Sequence, residues 1–168
     1  VAFLKAWERL HATYEQFLKS QDPTQRQWGL CIMDDVLEFC GDQSWNYKDY
    51  IIEPLVAGCR DSAPANRQAA AYGIGVAAHK GGPQWSEFLA PAVDLLFQVT
   101  QFPNARGDDD VYATENACAA IAKVLHFNPS SLPNQQQIIV QWIDTLPVVN
   151  DEEAAPYAYL YLAQLIEQ

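Results

Sequence analysis

Arg67-Gln68-Ala69-Ala70-Ala71-Tyr72-Gly73-Ile74-Gly75-Val76-Ala77-Ala78-His79-Lys80 is the stretch that decides the fold. It lies between the turn Asp61-Ser62-Ala63-Pro64 and the stop Gly81-Gly82-Pro83, and its alanine content makes it a helix. Within it, Gly73-Ile74-Gly75-Val76-Ala77-Ala78 has the spacing of a dinucleotide-binding loop. Such a loop follows a strand and opens a helix, whereas these glycines sit inside one. Small residues at that depth allow neighbouring helices to approach closely. The run therefore reads as one helix wedged among others.

The helical period extends to both sides. Upstream, Val1 to Ser20 places Phe3, Leu4, Trp7, Leu10, Tyr14, Phe17 and Leu18 three or four residues apart. Asp22-Pro23 breaks the chain and starts a second helix, with apolar rows Leu30/Met33/Leu37/Cys40 and Ile32/Val36/Phe39, ended by Gly41-Asp42. Tyr47 to Cys59 is a third, with Pro54 inside it. Downstream, helices are expected over Trp85–Gln101 (with Pro91), Ala113–Phe127, Gln135–Leu146 and Glu152 to the end. Alternating strand patterns are absent, so the predicted class is all-α.

The helices repeat in pairs. The apolar centres of the second helices, Met33, Ile74, Ile121 and Leu162, are 41, 47 and 41 residues apart. Asp22-Pro23 leading to Arg26-Gln27 is echoed by Asp61…Pro64 leading to Arg67-Gln68, and the loop around Gly107 lengthens the third unit. A two-helix period of this length is that of HEAT or armadillo arrays. Armadillo units carry three helices and only two appear here, which favours HEAT. One hairpin cannot bury its own apolar rows, so hairpins stack into an α-α superhelix. About four are expected, at 1–41, 43–82, 84–128 and 134–168, forming one solenoid. A plain helical bundle is the alternative, but it gives no reason for the register. The first residue is not Met and the helical pattern still runs at Leu165-Ile166-Glu167-Gln168, so the expectation is a fragment of a longer array.

Composition fits a packed but acidic surface. The 168 residues are 49% hydrophobic, and 10 Lys plus Arg stand against 21 Asp plus Glu, a formal charge of −11. Such a field disfavours nucleic acid and anionic membrane as partners and favours basic ones. No apolar run approaches the ~20 residues of a membrane helix. Cys31, Cys40, Cys59 and Cys118 form no metal-ligand spacing and read as buried reduced thiols, favouring a reducing compartment.

Candidate chemistry is sparse. His11, His79 and His126 are scattered over different repeats with no ligand-spaced partner. Arg106-Gly107-Asp108 spells an adhesion tripeptide but reads as an acidic surface loop. No nucleophile, general base or phosphate loop emerges, so an enzyme is not expected, nor a cofactor or metal. Charge placement is what remains. Asp108-Asp109-Asp110 and Asp151-Glu152-Glu153 open repeats, where acids suit helix N-termini. Asp34, Asp35 and Glu38 lie too far along their helix for that role. They form either a solvated face or an acidic inner surface for a basic partner.

Three strings carry a family resemblance: Arg67 to Val76, Ala113-Thr114-Glu115-Asn116-Ala117-Cys118, and Leu146-Pro147-Val148-Val149-Asn150-Asp151-Glu152-Glu153-Ala154. Together they resemble the C-terminal HEAT repeats of the importin-β (karyopherin-β) family, most closely its importin five branch, over roughly Asp22 to Gln168. The resemblance implies a nuclear import receptor that shuttles between cytoplasm and nucleus. It implies basic cargo bearing nuclear-localisation signals (ribosomal proteins or histones among them), FG-nucleoporin contacts, and release by Ran-GTP. In that family second helices line the concave face. Carried over, Asp34, Asp35, Glu38, Gln68, Tyr72, Glu115 and Asn116 are the expected cargo-facing residues. A scaffold segment that touches no cargo, or one that contacts FG-nucleoporins on its outer face, is the alternative role.

Overall fold

A computed structural model describes residues 2–167. Val1, Gln168 and the side chains of Phe3 and Leu4, which the sequence reading places in the first apolar row and at the chain's ends, lie outside the described residues. The elements are α1 (Ala2–Leu18), α2 (Pro23–Cys40), a 3-10 stretch (Gly41–Tyr47), α3 (Lys48–Gly58), α4 (Pro64–Lys80), α5 (Ser86–Thr100), α6 (Val111–Phe127), α7 (Gln135–Ile143) and α8 (Ala155–Glu167). No strand occurs among the described residues.

Start and stop signals act as the sequence suggests, with local differences. Pro23 and Pro64 occupy first-turn positions, where a missing N–H costs nothing, so α4 begins three residues before the expected Arg67. Asp22 caps α2 by accepting from the Thr24 N–H at 2.9 Å. Gly41, at φ 53°, turns the chain out of α2. The expected third helix loses its start to the 3-10 stretch, whose Ser44 accepts a 3.0 Å hydrogen bond from the buried Trp85 indole. The eighth helix starts at Ala155 rather than Glu152, because the Asp151 carboxylate takes the N–H groups of Glu153 and Ala154 into a turn.

Helices α2, α4, α6 and α8 pack one against the next, and α1, α3, α5 and α7 form a second layer against them. The alanine-rich helices α4 and α6 occupy the centre of the inner row. Their buried Ala70, Ala71, Ala77, Ala117 and Ala120 keep the backbones close. The centres Met33, Ile74 and Ile121 have no exposed surface, whereas Leu162 is half-buried. The buried positions of α8 are instead Ala158 and Tyr161, because α8 packs on the inner row chiefly through α6. Trp142 anchors α7, donating from its indole to the Cys118 carbonyl at 2.9 Å. Cys59 and Cys118 are buried, but Cys31 is exposed and Cys40 half-buried, so the expectation of four buried thiols holds for two.

Candidate groove on the inner helices

The repeated Arg-Gln pair divides its labour through the 100° step between neighbouring helical residues. Each arginine reaches into the loop before the next inner helix. Arg26 makes a two-pronged pair with Asp61 at 2.7 and 3.0 Å and also donates to the Ser20 and Gln21 carbonyls. Arg67, 1% exposed, donates to the Asp61 and Ser62 carbonyls, pairs with Asp110, and lies 3.8 Å above the Phe102 ring. The following residues, Gln27 and Gln68, turn away and line a groove.

In the third repeat the clamp changes sign. Glu115, one residue past the register of Arg26 and Arg67, takes over their task, and its carboxylate accepts from the N–H groups of Val149, Asn150 and Asp151 and from the Asn150 amide, at 2.7–3.0 Å. Burial pushes its carboxyl up, but these four donors outweigh that and hold it below the ordinary value of 4.5. Arg106 lies 3.9 Å away and donates to the Thr145 and Pro147 carbonyls. The arginine of the supposed adhesion tripeptide thus staples the long α5–α6 loop to the segment before α8. Glu115 has no exposed surface. It acts as a clamp and has no face open to cargo, contrary to the cargo-facing position that the resemblance implies. Its neighbour Asn116 takes the groove side, donating to the Asp151 carboxylate at 2.7 Å.

The groove spans all four inner helices and has a volume of about 570 Å³. Five of the seven candidates line it: Asp34, Asp35, Gln68, Tyr72 and Asn116. Glu38 joins at the edge, accepting from the Tyr72 hydroxyl at 3.3 Å with Lys80 Nζ at 4.0 Å. The sequence reading missed Lys123, Asp151, Glu153 and Tyr157, which complete the walls. Lys123 is 8% exposed, with its ammonium 3.9 Å from the Tyr157 ring centroid and 5.5 Å from that of Tyr72. Burial lowers it to about 8, against the pull of Glu38 and Asp151. A lysine interrupting Ala122 and Val124 on an inner helix was the available signal.

Asp34 departs most from expectation. A solvated face was one reading, yet the residue is 6% exposed and its Oδ1 has no hydrogen-bond partner. Leaving such an atom unpaired costs about 1–3 kcal/mol. Gly73 makes the placement possible: a methyl there would collide with Asp34 Oδ1 and stand 2.8 Å from Leu55 Cδ2. Gly75 does the same for the Lys123 stem, where a methyl would meet Cδ at 3.2 Å. The two glycines of the apparent nucleotide motif therefore make room for two charged side chains. Burial, then Asp35 and Glu38, push the Asp34 carboxyl well above 3.8.

No protein-family model matches the sequence. Individual relatives do. Importin subunit beta-3 of Saccharomyces cerevisiae is 36% identical over 166 residues, 98% of this chain and 15% of that protein. This chain belongs to the importin-β (karyopherin-β) family. A probable importin-5 homolog of Dictyostelium discoideum is 31% identical over 131 residues, 74% of the chain and 12% of its own length. The crystal structure of Kap121p bound to RanGTP superposes with a TM-score of 0.86 at 29% identity, over 99% of this chain and 16% of Kap121p. The fold is thus a karyopherin HEAT solenoid, and the chain spans about 15% of the length of the yeast relative.

Proposed function

We propose that the chain is a HEAT-repeat segment of a nuclear import receptor and that its inner groove holds a basic segment of cargo. The observation that carries this reading is the charge of the groove in a chain of this family. Asp34, Asp35, Asp151 and Glu153 line it against Lys123. Asp151 is engaged by Asn116 and by its own turn, which leaves Asp35, Glu153 and the neighbouring Glu38 as the outer attraction and Asp34 at depth. In the whole receptor, cargo release by Ran-GTP and shuttling between cytoplasm and nucleus follow from the same reading, supported by the RanGTP complex of Kap121p. The reading assigns the chain no catalytic role.

Anisotropy titration of a labelled lysine-rich peptide tests it. Binding is expected at low ionic strength and should weaken as salt screens the groove. The triple reversal D35K/E38K/E153K, which spares the Glu115 clamp, should abolish it. A peptide that binds the triple variant as tightly as the parent contradicts the reading.

The ladder of inter-repeat clamps favours a second role, a scaffold that sets the shape of the longer receptor. Solution scattering on that receptor with and without Arg26, Arg67 and Glu115 intact distinguishes the two. Altered shape with unchanged cargo affinity supports the scaffold.

A further inference from the structure

The groove already holds one lysine, and it is the chain's own. Lys123 stands on α6 among the buried Ala119, Ala120, Ala122 and Val124, and it lines the groove wall. Gly75 on α4 leaves room for its stem, since a methyl there would meet Cδ at 3.2 Å. That stem carries the ammonium to 3.9 Å from the Tyr157 ring centroid on α8 and 5.5 Å from that of Tyr72 on α4. Two aromatic faces and the pull of Glu38 and Asp151 make a seat of the kind that holds a cation from outside. Here it is filled from within. A second cation brought to the same rings would meet a like charge where burial limits screening by water.

We propose that Lys123 sets the charge pattern the groove accepts, by filling the seat between Tyr72 and Tyr157 and excluding any lysine or arginine of a bound segment from it. This rests on the groove reading above and adds the residue that limits it. The occupant is then a segment with an uncharged side chain where it passes the two rings and its basic residues on either side. Lys123 keeps its charge at about pH 7, because burial lowers it only to about 8. His79, whose ring meets that of Tyr157 at 5.8 Å, is held below 6.5 by burial and then by Lys123, and stays largely neutral there. A lysine that merely tied α4 to α8 would affect stability and leave the affinity for peptide unchanged.

Anisotropy titration of a labelled lysine-rich peptide at that pH, against the parent, K123M, K123A and K19M, tests this. K123M removes the charge and keeps an unbranched stem over the rings, and should bind about threefold tighter or more. K123A also empties the seat, and should gain a further factor of about two to five. K19M removes the same charge from an exposed side chain on α1, and should change affinity by less than about twofold. Proton NMR on the parent needs no variant: the Lys123 ε-methylene signals, shifted upfield by the Tyr157 ring, should stay there when the peptide binds. Their return to the ordinary lysine position overturns the proposal and leaves the groove reading standing. So does a K123M affinity no tighter than that of the parent or K19M, or a K123A affinity no tighter than that of K123M. Absence of binding to the parent and to every variant overturns both.

Discussion

Glu115 and Asp34 are both buried carboxylic acids on inner helices, and the sequence reading gave them one role. Their surroundings give them opposite ones. Glu115 meets four N–H donors and Arg106, so the fold stabilises its charge. Asp34 meets Gly73, Leu55 and two further acids, so the fold resists its charge. Burial is common to both, and the supply of donors separates a charge that the fold stabilises from one that it resists.

The largest expected effect lies at the clamp. E115A strands the N–H groups of residues 149–151 and should destabilise the chain by about 3–5 kcal/mol, read as a fall in urea midpoint. A loss under about 1 kcal/mol would mean that the segment before α8 is held by other contacts.

The next effect is steric. G73A should cost about 1–3 kcal/mol through the clash with Asp34 and Leu55. Much of that should be recovered in the D34A background, because the crowded oxygen is gone. Strictly additive losses in the double-mutant cycle would show that the two side chains do not share the space.

D34A itself should raise stability by about 1–3 kcal/mol near neutral pH, since it removes a buried oxygen that has no partner. The two sites should also differ in pH dependence. For Glu115 the folded form is the better acid, so its contribution is full above about 4.5 and is lost as pH falls through the lower folded value. For Asp34 the folded form binds its proton more tightly. Its penalty is absent below 3.8 and grows as pH rises toward the raised folded value. Urea midpoints of D34A relative to the parent should therefore improve with rising pH, and the deficit of E115Q relative to the parent should shrink as pH falls through the acid limb. The smallest effect belongs to R106Q, whose two carbonyl bonds at an exposed side chain are worth about 1 kcal/mol together.

The solenoid was legible because its causes are local and periodic. Pro23, Pro64, Gly41 and the 41, 47 and 41 spacing of Met33, Ile74, Ile121 and Leu162 mark helices and their register without tertiary information. The groove was legible in part. Gln68, Tyr72, Asn116 and Asp35 follow from which helices face inward. The reversal at Glu115 was hidden because adjacent residues point about 100° apart, and only the path of the α7–α8 segment decides which of Glu115 and Asn116 meets it. Burial of Asp34 was hidden for a related reason. It depends on Gly73, which is 39 positions away in sequence and opposite only after α2 and α4 have packed. Lys123 was overlooked because a lone lysine among alanines looks like a solvent-facing residue until two tyrosines from α4 and α8 close over it.

Carboxyl-carbon NMR on the uniformly labelled chain follows both acids through one pH titration. The account predicts a Glu115 midpoint below 4.5 and an Asp34 midpoint well above 3.8. An Asp34 midpoint at or below 3.8, like that of a solvated or already paired carboxylate, would contradict it.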